Sequence, residues 1–121
     1  MIKRFAILFV LLGICSPSPL LLCSFAADAA PRRIEVVAKR FSFEPASIEL
    51  HKGVPVILVL KSVDVSHGIR IRELNVDVKA PAGATSEVQF TPEKTGDFVG
   101  HCSVFCGAKH GSMALTVHVI E

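Results

Sequence analysis

Residues 54–60 read VPVILVL, six apolar side chains and one proline with no polar residue between them. A short apolar run closed off by turn residues predicts a strand covered on both faces. His51-Lys52-Gly53 supplies the turn before it. Pro55 has no N–H to give a neighbour, so it suits only the start or the edge of that strand. Working outward, Ile48-Glu49-Leu50 alternates apolar and polar, and Glu44-Pro45-Ala46 makes a turn. Phe41 and Phe43 alternate in an earlier stretch, and Ile34-Glu35-Val36 opens the first strand. Downstream, Ile69, Ile71 and Leu74 follow His67, and Val76-Asp77-Val78 alternates up to a turn at Pro81-Ala82-Gly83. Val88 and Phe90 mark the next strand, Thr91 to Gly96 a loop, and Leu115, Val117 and Val119 the last strand. Strands at this spacing, with turn chemistry between them and no helical period, predict an all-β Greek-key β-sandwich. Phe41, Phe43, Phe90, Phe98 and Phe105 are the aromatic side chains expected in its core.

The front of the chain reads differently. Lys3 and Arg4 precede an apolar run from Phe5 to Cys15, which Ser16-Pro17-Ser18-Pro19 interrupts. A second apolar patch leads to Ala27-Asp28-Ala29, a small-residue cleavage pattern. Residues 1–29 are therefore expected to be a secretory signal peptide, with residues 30–121 as one domain. The alternative is an uncleaved membrane anchor. Against it, the first run falls short of the ~20 residues of a span, and two prolines break the combined stretch. Either reading sends the domain out of the cytoplasm, to the periplasm or beyond. Without Lys3, Arg4 and Asp28, the formal charge falls from +2 to about +1. So balanced a surface argues against a nucleic-acid partner.

Of the four cysteines, Cys15 and Cys23 lie in the leader. The other two stand in residues 102–113, CSVFCGAKHGSM, a C-x3-C-x3-H-x2-M pattern. Exported cysteines usually pair, so a Cys102–Cys106 disulfide is the plain expectation. His110 and Met113 argue for another, because thiolate, imidazole and thioether in one loop suit copper. One Cys, one His and one Met would make a single-copper site; the extra Cys102 opens the way to two coppers bridged by two sulfurs. His67, in a loop after the buried strand, is the candidate second nitrogen donor, if the sandwich brings that loop beside the cysteines. Zinc would accept two Cys and two His but leaves Met113 without a role. Thiol catalysis lacks an acid to orient a Cys–His pair. His51 and His118 read as structural or solvated, and His101 as a neighbour facing away from the site.

These residues resemble the binuclear copper A (CuA) domain of cytochrome c oxidase subunit II, which nitrous oxide reductase shares. Asp64-Val65-Ser66-His67 is similar to the family's first-ligand loop. Pro81-Ala82-Gly83 and Phe90-Thr91-Pro92-Glu93-Lys94-Thr95-Gly96 are similar to its approach to the site. Gly100-His101-Cys102-Ser103, Cys106-Gly107, His110 and Met113 are similar to its ligand loop. The resemblance covers about residues 41–121 and implies a cupredoxin fold. It implies two copper ions per chain, with Cys102 and Cys106 bridging them and His67 and His110 binding one each. Met113 and the backbone carbonyl of Val104 would be the weak ligands. Val104 stands where the family usually has glutamate, a change that a carbonyl ligand tolerates. Subunit II also carries two membrane helices and an aromatic patch with tryptophan where electrons arrive from cytochrome c, whereas this chain has no Trp and no Tyr.

The function these readings imply is one-electron transfer in an exported copper protein, with no turnover of a substrate by itself. Its expected partners are a redox protein, such as a c-type cytochrome or a membrane oxidase, and a copper donor and a thiol reductant for loading. The alternatives are a copper chaperone or buffer, and a mononuclear cupredoxin that uses His67, Cys106, His110 and Met113.

Overall fold

A computed structural model of the chain describes residues 30–121. The signal-peptide reading of residues 1–29, and with it Cys15 and Cys23, lies outside the described residues. The architecture is all-β. The strands are β1 (Arg32–Lys39), β2 (Ser42–Glu44), β3 (Ser47–His51), β4 (Val56–Ser62), β5 (His67–Ile71), β6 (Val76–Ala80), β7 (Thr85–Phe90), β8 (Gly96–His101) and β9 (Ala114–Ile120). They form two facing sheets, β2-β1-β4-β7 and β3-β9-β8-β5-β6. Among the described residues no helix is long and apolar enough to cross a membrane.

The strand at 54–60 begins two residues later than expected and runs on to Ser62. Pro55 stays outside it, where its carbonyl accepts a hydrogen bond from the Arg32 N–H at 2.9 Å. Val56, Leu58 and Leu60 are at most 1% exposed and face the opposite sheet. β1 lies parallel to β4, with Val36 opposite Leu60, and β7 lies antiparallel, with Val88 opposite Leu58. The other face of β4 departs from the expectation of two buried faces. Val59 is only 6% exposed, yet its neighbours in register are Glu35 and Glu87. Arg33 reaches across β4 to pair with Glu87. The stems of charged side chains cover that face where a second apolar layer was expected.

Between the sheets Phe43, Leu50, Ile69, Ile71, Leu115 and Val117 complete the core. Ser62 is the buried polar side chain that links the layers, its Oγ donating to the Ala80 carbonyl at 3.2 Å. Of the five aromatics expected inside, Phe43 is buried and Phe41, Phe90 and Phe98 pack against the core half-buried. Phe105 is a correction: it is 80% exposed. Cys102 and Cys106 take the inward positions of their loop, which leaves Phe105 outside against the His110 ring, centroids 5.6 Å apart.

Parallel β1 and β4 end together, at Lys39 and Ser62. The β1–β2 turn and the β4–β5 loop therefore share one end of the sandwich. β8 runs into the same end and β9 returns from it, so residues 102–113 lie there too.

Candidate metal centre

The cysteine loop leaves β8 after His101, a residue paired with Ala114 and Arg70. His101 is exposed, while its neighbour Cys102 is buried at 6% exposure. This is the strand alternation expected of that pair. The Cys102 N–H donates to the Met113 carbonyl at 3.3 Å, closing the loop at its base. A 3-10 turn at His110–Ser112, not foreseen from sequence, then sets the spacing of the last two donors. Residues three apart eclipse in such a turn. The Met113 N–H returns to the His110 carbonyl at 3.3 Å, and this is the local reason that an H-x2-M spacing brings an imidazole and a thioether to one side.

All six sequence-predicted residues meet here. Cys102 Sγ and Cys106 Sγ are 3.8 Å apart, both as free thiols. Cys102 Sγ lies 3.9 Å from His67 Nδ1 and 3.1 Å from the Val104 carbonyl oxygen. Cys106 Sγ lies 3.5 Å from His110 Nδ1 and 3.3 Å from Met113 Sδ. The donor atoms of His67, Cys102 and Cys106 are within 4.8 Å of one another. His67 and Met113 are fully buried, His110 partly so. His51 and His118 keep out of the site, bonded to the Glu121 backbone carbonyl and to Asp97.

The donors fit copper on their chemistry: two thiols, two imidazoles, a thioether and a carbonyl lie at one end of the sandwich, with the thiols, His67 and Met113 buried and His110 at the edge. The orientation of His67 fits as well. Its Nε2 is 2.7 Å from Asp64 Oδ1, and an ionised carboxylate only accepts, so in the neutral ring Nε2 holds the proton. The Nδ1 lone pair then faces Cys102. Burial pushes the Cys106 thiol up to about 11, and the adjacent Cys102 and the Asp64 charge add to this against the pull of Arg40. Burial also acts to raise Asp64, but hydrogen bonds from the Arg40 and Val65 N–H groups and the His67 ring outweigh it and bring the carboxyl down to about 2.

Three contributors were not singled out from the sequence. In the sequence Asp64 stands out only as part of the His67 loop. Arg40 donates from Nε to the Cys106 carbonyl at 3.1 Å, across 66 positions of chain. Gly107 has φ +135°, and a Cβ there would come within 2.9 Å of the Phe41 ring. The glycine after a ligand cysteine was a legible signal; the arginine carried none.

A two-sheet β-sandwich with a sulfur and imidazole cluster in loops at one end defines a cupredoxin-type metal-binding domain. Residues 4–115 match the family model for the cupredoxin-like domain, and the chain belongs to that family. It is 31% identical over 88 residues, 73% of this chain, to cytochrome c oxidase subunit 2 of Thermus thermophilus, and spans 65% of that relative's length. Its fold matches a chain of a heme-copper terminal oxidase dimer with a TM-score of 0.66 and 28% identity, covering 74% of this chain and 65% of that one. The periplasmic domain of subunit II of cytochrome oxidase from Bradyrhizobium japonicum matches with a TM-score of 0.68 and 20% identity, over 74% of this chain and 84% of that one. A subunit II captured as a mixed disulfide intermediate with a thioredoxin-like protein matches with a TM-score of 0.63 and 20% identity, over 74% and 82%.

Proposed function

We propose that this domain is an exported copper electron carrier with a binuclear, copper A-like centre. Cys102 and Cys106 would bridge two coppers, and His67 and His110 would each bind one. Met113 and the Val104 carbonyl would be the weak ligands. Bound copper would supply a one-electron couple, with two shared thiolates spreading the electron so that geometry changes little on transfer. The chain's own contribution is a rigid, water-poor frame on loops anchored by two sheets.

The observation that carries this reading is the pair of sulfurs 3.8 Å apart with an imidazole Nδ1 beside each. Transition-metal–thiolate bonds run to about 2.3 Å, so one ion can touch both sulfurs at that separation. A single-copper site needs only one of them.

The partners proposed are a c-type cytochrome or a membrane oxidase for electrons, a copper donor, and a thiol reductant that keeps both cysteines open in an oxidising compartment. The likeness to an oxidase subunit, and to one captured with a thioredoxin-like protein, supports this choice. Export rests on the leader-like residues 1–29 and on the likeness to a periplasmic domain. The same leader left uncleaved would tether the carrier to the membrane.

A second reading is copper handling, by a chaperone or a mononuclear cupredoxin. It is favoured by the closeness of His110 Nδ1 and Met113 Sδ to Cys106 Sγ, 3.5 and 3.3 Å, against the looser 3.9 Å between Cys102 and His67. Copper per chain and an electron paramagnetic resonance spectrum separate the two. The carrier requires two coppers sharing one unpaired electron. One copper per chain, or cuprous ion without a reversible couple, sinks it.

A further inference from the structure

The β1–β2 turn carries none of the candidate ligands, yet it touches the β4–β5 loop that leads into His67 and the β8–β9 loop that carries the cysteines. Its Arg40 N–H donates to Asp64 Oδ2 at 2.7 Å, in the β4–β5 loop. Its Arg40 Nε donates to the Cys106 carbonyl at 3.1 Å, in the β8–β9 loop. Asp64 is the hub, because its other oxygen accepts from the Val65 N–H at 2.6 Å and from His67 Nε2 at 2.7 Å. The Phe41 ring lies against Gly107, where a side chain would collide with it. A further link runs from the β8–β9 loop to β5, through the Ser103 N–H on the Gly68 carbonyl at 3.3 Å.

We propose that Arg40 and Asp64 form a bracket that sets the centre before metal arrives. Asp64 is the positioning residue for His67, and the Arg40 guanidinium is the positioning group for the Cys106 segment. Asp64 holds the ring with its proton on Nε2, turning Nδ1 toward Cys102. Arg40 fixes the carbonyl of Cys106, and so the direction in which that residue's side chain leaves the backbone. Because one residue grips both loops, the distance between His67 and the sulfurs is a property of the protein and does not depend on the ion. Partners of this kind typically change metal affinity by roughly 10- to 100-fold when removed.

The bracket as a device for copper rests on the proposed centre, but its geometry can be tested without metal. In the reduced, metal-free chain, long-range proton–nitrogen correlation spectra should show His67 protonated at Nε2 only, with that proton protected from exchange. Asp64→Ala should lose the protected proton and bind cuprous ion roughly 10- to 100-fold more weakly in competition with a chromogenic chelator. Asp64→Asn keeps an oxygen for Val65 and His67 but sets an amide NH2 against the Arg40 N–H, so it should retain the His67 proton while recovering only part of the affinity. If Asp64→Ala does not fold, Asp64→Asn decides alone: loss of the protected proton there overturns the role of Asp64. Arg40→Ala keeps its backbone N–H on Asp64 and should leave the His67 proton in place, while the amides of residues 106–108 exchange faster. A wild-type ring protonated at Nδ1, or an Asp64→Ala chain equal to wild type in proton and affinity, overturns the bracket. A wild-type chain that shows the proton but binds no copper overturns the copper reading and leaves the bracket standing.

Discussion

Cys102 Sγ and Cys106 Sγ stand 3.8 Å apart, too far for a covalent bond of about 2.05 Å and close enough to share a metal ion. Each sulfur also has its own imidazole. This makes the two cysteines unequal in what their loss would leave behind. Cys106, His110 and Met113 can still hold one ion when Cys102 is gone. On the proposed two-copper centre, Cys102→Ser is therefore expected to lower copper to one per chain and to abolish the shared-electron resonance. Metal analysis and the paramagnetic spectrum read this directly, and survival of the shared signal would remove Cys102 from the bridge.

Loading should depend on pH in a defined direction. The buried Cys106 thiol sits up at about 11, so it is protonated throughout the neutral range. A metal must displace that proton, because the thiolate is the ligand. Apparent copper affinity is then expected to rise about tenfold per pH unit between roughly pH 6 and 9 from this thiol alone. The metal-free fold responds the other way. A folded-state value above the unfolded one of about 8.5 gives stability that is intact below pH ~8.5 and is lost as pH rises toward 11. Chelator competition and denaturant titration across this range check the two signs.

Met113 is fully buried and 3.3 Å from Cys106 Sγ, so it both packs and faces the centre. Leucine has nearly its volume and no sulfur. Met113→Leu should cost less than ~1.5 kcal/mol of metal-free stability, while the spectrum and reduction potential of the copper form change. Met113→Ala should cost ~2–5 kcal/mol through the cavity it leaves. Chemical denaturation of both variants separates packing from ligation, and a Leu variant with an unchanged potential would take Met113 out of the ligand set.

Gly107 supports the loop by having no side chain. Its φ of +135° is strained for any L residue, and a Cβ would press on the Phe41 ring at 2.9 Å. Gly107→Ala is expected to cost ~1–3 kcal/mol, which a denaturation midpoint will show. A loss below 0.5 kcal/mol, the range of ordinary surface changes, would mean that Phe41 gives way freely.

Much of the centre was legible because it is local. Cys102, Cys106, His110 and Met113 lie within twelve consecutive positions of the chain, and donor type with spacing points to copper without any knowledge of the fold. His67 needed the sandwich, and β4 gave that away through its apolar run. What stayed hidden is non-local or directional. Arg40 meets Asp64 and Cys106 across 24 and 66 positions, and no pattern in the chain couples them. Phe105 reads as core by composition, and its outward placement follows from two flanking cysteines that face in. The cover over Val59 comes from charged stems on two other strands, which a hydropathy reading counts as solvent-facing.

Phe105 supplies the last expectation. It is a large apolar side chain, 80% exposed, on the loop that carries five of the six candidate donors. Its ring is tilted 48° against that of His110 with centroids 5.6 Å apart. An exposed aromatic contributes little to folding, so Phe105→Ser should leave stability within about 0.5 kcal/mol. The copper spectrum should also stay near that of wild type, because Phe105 meets the centre by packing on the His110 ring. Aromatic anchors dominate docking energetics, and removing one from the centre of an interface costs more than ~1 kcal/mol. If electrons leave or arrive beside His110, Phe105→Ser should slow exchange with a soluble c-type cytochrome by roughly tenfold, the rate equivalent of about 1.4 kcal/mol. Stopped-flow mixing of the copper-loaded chain with the cytochrome measures this. An unchanged rate, with stability and spectrum also unchanged, would move the docking face away from Phe105 and toward another side of the β8–β9 loop.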